Sequence, residues 1–336
     1  MRCFPPYLLV WAAPVAEGRR RLAVVAVGGN ALVSDEDHLS IGDQYHNVQA
    51  LAPALADVLA AGWDLVLTHG NGPQVGFILH RSELASHQVA PVPLDYAVGD
   101  TQGAMGYMFV KALDNELSRR GQRRPVVALV TRTVVDGTDP AFAHPDKPVG
   151  AFLSEAAARA SAQRWGWEVM TEAGRGWRRV VPSPTPLEVV EAPVVRLLVD
   201  QGVVVIAAGG GGVAVVRDEQ GCYVGVEAVV DKDRTSALLA QTLGADALVI
   251  CTGVERVALD FGLPTQRWLD RISWTEAAGY LGQGQFAAGS MGPKIEALLS
   301  FVGGGPARLG VVTTPDRMAQ ALAGGAGTAI VEDLVT

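Results

Sequence analysis

The segment Leu22–Val27 reads LAVVAV and runs directly into Gly28-Gly29. An unbroken apolar run rich in valine is the pattern of a strand covered on both faces. Strands of that kind sit inside parallel sheets, where each neighbour is reached by a crossover that is usually a helix. The rest of the chain supplies such units. Asn47–Ala61 has helical spacing (Val48, Leu51, Leu55, Val58, Leu59) and stops at Gly62, and Asp64–Thr68 is a second buried strand. Thr101–Leu117 predicts a helix and Pro125–Val135 a strand. Later come a helix over Val194–Gln201, a strand over Val203–Ala208 and a polar hairpin turn at Asp218–Gly221. A helix from Thr235, a strand over Ala247–Cys251, a helix from Met291, a strand over Leu309–Thr313 and a last strand at Ala329–Val331 complete the series. The alternation predicts an α/β fold, a three-layer αβα sandwich on a mainly parallel sheet. Ligands on such sheets gather at the carboxyl ends of the strands.

One stretch breaks the rhythm. Asp136–Pro186 opens with Asp136-Gly137-Thr138-Asp139-Pro140, passes Pro145 and Pro148, and contains one helix, Ser154–Trp165. It reads as a small protruding subdomain, about 136–180, inserted into a single domain spanning 21–333.

Composition bounds the function. Hydrophobic residues make up 49% of the 336, so a packed core is expected rather than disorder. The net charge of −8 disfavours nucleic acid as a partner and means that positive charge for an anionic substrate must be concentrated locally. Cys3, Cys222 and Cys251 form no CxxC pair and are odd in number, so neither a disulfide framework nor a zinc site is indicated; a reducing cytoplasm fits. Met1–Ala16 resembles a weak signal peptide, but Pro5 and Pro6 interrupt its apolar run and Arg19, Arg20 and Arg21 follow it. A disordered extension over residues 1–20 is the expectation. No run approaches the ~20 apolar residues of a membrane span.

Four strands are expected to end in glycine clusters: Gly28-Gly29-Asn30, Gly70-Asn71-Gly72, Gly209–Gly212, and Gly289-Ser290-Met291-Gly292 ahead of Lys294. Glycine lets the backbone come close to an anion and aim N–H groups at it. One such turn is ordinary; four at one predicted sheet edge point to a phosphate or carboxylate site. There is no GxxxxGK[ST], and GNGPQV fails GxGxxG, so P-loop and Rossmann sites are disfavoured. The chain has few lysines, and three sit in restrained places. Lys147 follows His144-Pro145-Asp146, Lys232 lies between Asp231 and Asp233, and Lys294 opens a helix. Phosphoryl transfer needs positive charge on the moving group and alignment of its two end oxygens, which lysines, glycine N–H groups and Mg²⁺ supply. Asp231 and Asp233 read equally as helix caps and as carboxylates that hold lysines or Mg²⁺. His69 reads as a strand-end hydrogen-bonding residue or a substrate contact, and Trp63, Trp165 and Trp167 as packing residues.

These motifs resemble the carbamate kinases of the amino acid kinase family. The resemblance rests on VGGNAL at Val27–Leu32, THGNGPQVG at Thr68–Gly76, Thr101-Gln102-Gly103 with Gly106-Tyr107, and Asp139-Pro140-Ala141-Phe142 with Lys147-Pro148-Val149-Gly150. Gly174-Arg175-Gly176, Arg178–Pro184, Ala208–Gly212, Asp231-Lys232-Asp233 and Gly289–Lys294 complete it in family order. It implies a sheet of roughly eight strands, a homodimer, and the reversible reaction of ATP with carbamate to give ADP and carbamoyl phosphate. Mg²⁺ would be carried mainly by the nucleotide phosphates, with no protein metal site. The family often runs toward ATP, in arginine metabolism among other routes.

Carried over by position, Lys147 would reach the transferring phosphoryl group, taking the place of the lysine that related kinases carry in the first glycine turn. Lys232 would bind that group or carbamate, Lys294 the ATP phosphates, and Asp233 would organise the lysines. Gly28, Gly29, Asn30, Gly70, Asn71, Gly72, Gly209 and Gly210 would line the phosphoryl and carbamate site. Asp231, Thr252, Val257, Met291 and Lys294 would lie at the nucleotide. Two positions depart from the family. Asp100 stands where an uncharged residue is expected, and a carboxylate turned inward there would repel carbamate. Gly253 stands where relatives often carry Asp. The same motifs also fit a relative that phosphorylates another small carboxylate or a phosphonate, or a nucleotide-binding regulator without turnover.

Overall fold

The computed structural model describes residues 20–29, 40–172, 174–287 and 289–333. The expected N-terminal extension, apart from Arg20, and Asn30 of the first glycine turn lie outside the described residues. The chain opens with β1 (Leu22–Val27), α1 (Ile41–Ala60), β2 (Asp64–His69), α2 (Gly72–Ala85) and α3 (Leu94–Arg119). Next come β3 (Val126–Ala128), β4 (Arg132–Val135), β5 (Lys147–Leu153), α4 (Glu155–Trp165), β6 (Glu168–Glu172) and β7 (Gly176–Val181). They are followed by β8 (Pro186–Val189), α5 (Ala192–Asp200), β9 (Val204–Ile206), β10 (Val213–Arg217), β11 (Tyr223–Gly225), α6 (Lys232–Thr242) and β12 (Ala247–Cys251). The last part holds β13 (Val257–Leu259), β14 (Arg267–Leu269), β15 (Arg271–Ser273), α7 (Trp274–Gly282), α8 (Met291–Gly303), β16 (Leu309–Thr313), α9 (Met318–Leu322) and β17 (Thr328–Val331).

The main sheet has eight strands in the order β15-β17-β16-β12-β1-β2-β9-β3. All its pairings are parallel except β16 with β17. β1 lies in the middle, between β2 and β12, as its unbroken apolar run demands. Its side chains alternate between two cores. Leu22, Val24 and Ala26 pack with α5, α6, α7 and α8 on one face, and Ala23, Val25 and Val27 with α1, α3 and α9 on the other. All six are at most 2% exposed. Burying a valine contributes about 1.5 kcal/mol or more, so a polar residue at either parity costs a share of one helical layer. The three layers follow from that double burial.

Three smaller sheets surround this frame. β11-β10-β4-β8 form one, β13-β14 a hairpin, and β5-β7-β6 a third that carries α4 within the stretch that broke the sequence rhythm. Among the described residues, no helix is long and apolar enough to cross a membrane.

Four expectations need correction. The segment Pro125–Val135 is not one strand. β3 pairs with β9 in the main sheet, the chain leaves it around the exposed Val130, and β4 pairs with β8 and β10 instead. The helix expected at Thr101 begins at Leu94, seven residues earlier. Its N-cap is Pro93, which has no capping side chain, and the first amide is satisfied by the remote Glu227 carboxylate at 2.8 Å. The helix expected at Thr235 begins at Lys232, because Asp231 is its N-cap. The turn Gly289–Gly292 does not close a strand; it links α7 to α8.

Candidate active site

The carboxyl ends of β1, β2 and β9 each run into a glycine turn, and parallel register sets the turns side by side. The fit is tight enough to exclude side chains. A Cβ on Gly70 would lie 2.6 Å from the Gly29 nitrogen, so the first two turns touch through bare backbone. A Cβ on Gly210 would lie 2.1 Å from the Asn71 amide, and Gly210 has φ +64°. The second and third turns therefore meet as well. Where the turns converge, backbone N–H groups and the amino ends of α2 and α6 supply an anion with donors and positive potential.

Asp231 and Asp233 hold the lysines here. Asp231 divides its oxygens: Oδ1 accepts the Asp233 and Arg234 amides at 2.9 and 3.3 Å and caps α6, while Oδ2 accepts from Lys147 Nζ at 3.1 Å. Asp233 is 3% exposed. Its Oδ1 accepts from Lys232 Nζ at 2.5 Å and its Oδ2 from Lys294 Nζ at 3.0 Å. Three lysines from β5, α6 and α8 thus meet one pair of carboxylates at the first turn of α6. The remaining lysine of the chain, Lys111, lies 4.0 Å from the Tyr45 ring, outside this cluster.

Charge and burial set the protonation states. Burial pushes the Asp231 carboxyl up, but the charges of Lys147 and Lys232 and the hydrogen bonds from Lys147 and the Arg234 amide outweigh it, and its pKa lies below the ordinary value. His69, at the end of β2, is driven by burial down to about 4 and is neutral at physiological pH. Its Nδ1 bonds the Gly70 carbonyl at 3.0 Å and its ring stacks on Phe109. Burial pushes the Cys251 thiol, at the end of β12, up to about 12.

The amino acid kinase family matches residues 21–312. The chain belongs to that family. It is 46% identical to carbamate kinase-like protein YahI of Escherichia coli over 93% of this chain and 99% of that one. It is 45% identical to the carbamate kinase of Thermococcus kodakarensis over 92% and 99%. Among solved structures it is similar to Giardia lamblia carbamate kinase bound to AMP-PNP, with a TM-score of 0.88, 38% identity and coverage of 94% and 99%.

The other family positions fall as follows. Gly28, Gly29, Gly70, Asn71, Gly72, Gly209 and Gly210 lie on the three adjoining turns. Thr252 follows β12, and its amide donates to the Thr313 carbonyl at 2.9 Å. Met291 starts α8 and packs against the core on the α8 face. Val257 departs from expectation. It is 1% exposed, its side chain belongs to the core and its amide donates to Thr328 Oγ1, so no side-chain contact with a nucleotide is available. Asp100 and Gly253 are both exposed. Asp100's neighbour Thr101, one helical step on, is 1% exposed.

Sequence reasoning missed the polar residues beneath the turns. Thr101 and Gln102 were visible only as part of a motif. Thr131, in the middle of a supposed strand, carried no signal, because its partners are 29 and 77 residues away.

Proposed function

We propose that this chain catalyses reversible phosphoryl transfer between ATP and carbamate, giving ADP and carbamoyl phosphate. The observation that carries this reading is the convergence of Lys147, Lys232 and Lys294 on Asp231 and Asp233 beside three glycine turns. The near full-length likeness to carbamate kinases supports the choice of substrate. In the forward direction a carbamate oxygen forms a bond to the γ-phosphorus while the bond to the ADP oxygen breaks. No proton has to move, so catalysis rests on alignment and charge stabilisation. Lys147 and Lys232 then neutralise the moving phosphoryl group and Lys294 the remaining nucleotide phosphates. The glycine turns around Gly29, Gly70 and Gly210 supply backbone donors. Asp233 keeps two ammonium groups close together before substrate arrives, which spares reorganisation during the reaction.

Mg²⁺ accompanies the nucleotide in this scheme and would supply further neutralisation of the phosphates. Asp231 and Asp233 each accept from lysines. That donor set suits a metal delivered on phosphates. A homodimer and a cytoplasmic setting complete the proposal. The exposed Tyr96 and Tyr107 on one side of α3 suit a partner surface, and the exposed free thiol of Cys222 suits a reducing compartment.

The test is ATP formation by the purified protein from ADP, Mg²⁺ and carbamoyl phosphate, read by luciferase. ATP above the enzyme-free background is expected, and its absence overturns the reading. Light scattering gives the mass; a monomer at micromolar concentration removes the dimer.

A further inference from the structure

Two adjoining residues of α3, Thr101 and Gln102, connect to different glycine turns, Thr101 directly to Asn71 and Gln102 by way of Thr131. Thr101 is 1% exposed and Gln102 2%. Thr101 Oγ1 accepts from Asn71 Nδ2 at 2.7 Å and donates to the Val98 carbonyl at 2.7 Å. The carbonyl fixes where the hydroxyl proton goes, the hydroxyl fixes which end of the Asn71 amide faces it, and Asn71 is thereby held against Gly210.

Gln102 works through Thr131, which is fully buried. Gln102 Oε1 accepts from the Thr131 amide at 3.0 Å and from Thr131 Oγ1 at 2.9 Å, while Gln102 Nε2 donates to the Thr131 carbonyl at 3.0 Å. Having given its proton to Gln102, the Thr131 hydroxyl accepts the Ala208 amide at 2.9 Å. Ala208 has φ +50°, a left-handed backbone that a residue with a Cβ adopts at a cost. It is the residue that throws the chain into Gly209-Gly210, and a Cβ on Gly209 would stand 3.0 Å from Gln102 Cγ. The helix itself is seated without play, since a Cβ on Gly106 would lie 2.6 Å from Ala128 Cβ.

We propose that Thr101, Gln102 and Thr131 are positioning residues for the acceptor side of the reaction. Thr101 sets the Asn71 turn, Gln102 and Thr131 set the Ala208–Gly210 turn, and one rigid step of α3 fixes the distance between them. They act through the turns and touch no substrate. This rests on the phosphoryl-transfer reading above, and it separates the acceptor half of the site from the nucleotide half. Lys294 and Met291 belong to α8 and Thr252 follows β12; none of them bonds this network.

The variants Thr101→Val and Thr131→Val keep volume and remove the hydroxyl, and Thr101→Ser and Thr131→Ser keep it. In the ATP-forming assay each valine variant is expected to raise KM for carbamoyl phosphate roughly tenfold or more, as leaving a buried polar group unpaired does. KM for ADP stays within about twofold, and each serine variant returns to within about threefold of wild type. Thermal melts confirm that the compared proteins are folded. Equal rises in both KM values, or no rise in either, overturn the proposal, as does failure of serine to restore. Titration calorimetry with carbamoyl phosphate alone, without nucleotide, reads the same turns independently of turnover. An inactive wild type whose carbamoyl phosphate binding is still weakened by valine fails the functional reading and keeps the positioning one; binding unchanged by valine fails the positioning.

Discussion

Replacing Asp233 with Asn keeps the side chain's shape and removes the charge that two lysines share. Asp233 is 3% exposed, and its two oxygens accept separately from Lys232 and Lys294. An ion pair with charges ~4 Å apart is worth roughly 4 kcal/mol at an effective dielectric of about 20, before desolvation is subtracted. Without the carboxylate, the Lys232 and Lys294 side chains, 14% and 18% exposed, face each other across a neutral amide. Removing one partner of a buried pair costs about 3–5 kcal/mol. The lower end, about 3 kcal/mol, applies here because neither lysine is sealed off completely. Urea unfolding followed by tryptophan fluorescence measures the loss. An anion seated between the lysines replaces part of the missing charge, so saturating carbamoyl phosphate should narrow the gap between variant and wild type. Turnover should fall roughly 10²–10³-fold, as when one stabiliser of a developing charge is removed. A variant within about 0.5 kcal/mol of wild type, with the same gap in the presence and absence of the anion, would refute the shared-charge account.

Four further outcomes are expected. Lys294→Ala should lose roughly 10²–10³-fold in rate, and a variant within twofold of wild type removes its phosphate role. Lys147→Ala should lower turnover while ADP affinity, measured by calorimetry, stays nearly unchanged; equal loss of both would mean a binding or folding defect. Gly210→Ala forces a Cβ to 2.1 Å from the Asn71 amide at φ +64°, so at least roughly 10² in rate should disappear with the circular dichroism spectrum retained. His69, whose pKa falls from 6.5 unfolded to about 4 folded, takes up a proton more readily in the unfolded chain. Stability is therefore full above pH 6.5 and declines by about 3 kcal/mol as pH drops toward 4. His69→Gln should flatten that part of the urea-derived stability curve, and an unchanged slope would show that His69 is not its source.

The sequence by itself determined the frame. LAVVAV at Leu22–Val27 left no surface for water on either side, which is why a central parallel strand and two helical layers follow from it. Glycine clusters and restrained lysines marked the reactive edge, since close backbone approach and focused charge need those residue types wherever the chain goes. Local rules failed where the deciding partner was remote. The first turns of α3 depend on Glu227 rather than on a local cap, and the apolar stretch of Pro125–Val135 cannot reveal that two different sheets claim its halves. Only the tertiary structure decided which carboxylate serves which lysine, that Thr101 reaches Asn71, and that Gln102 reaches Thr131 beneath the third turn. Those are hydrogen bonds between residues far apart in the chain. Their geometry exists only after the sheet has brought the strand ends together, so no pattern along the sequence carries it.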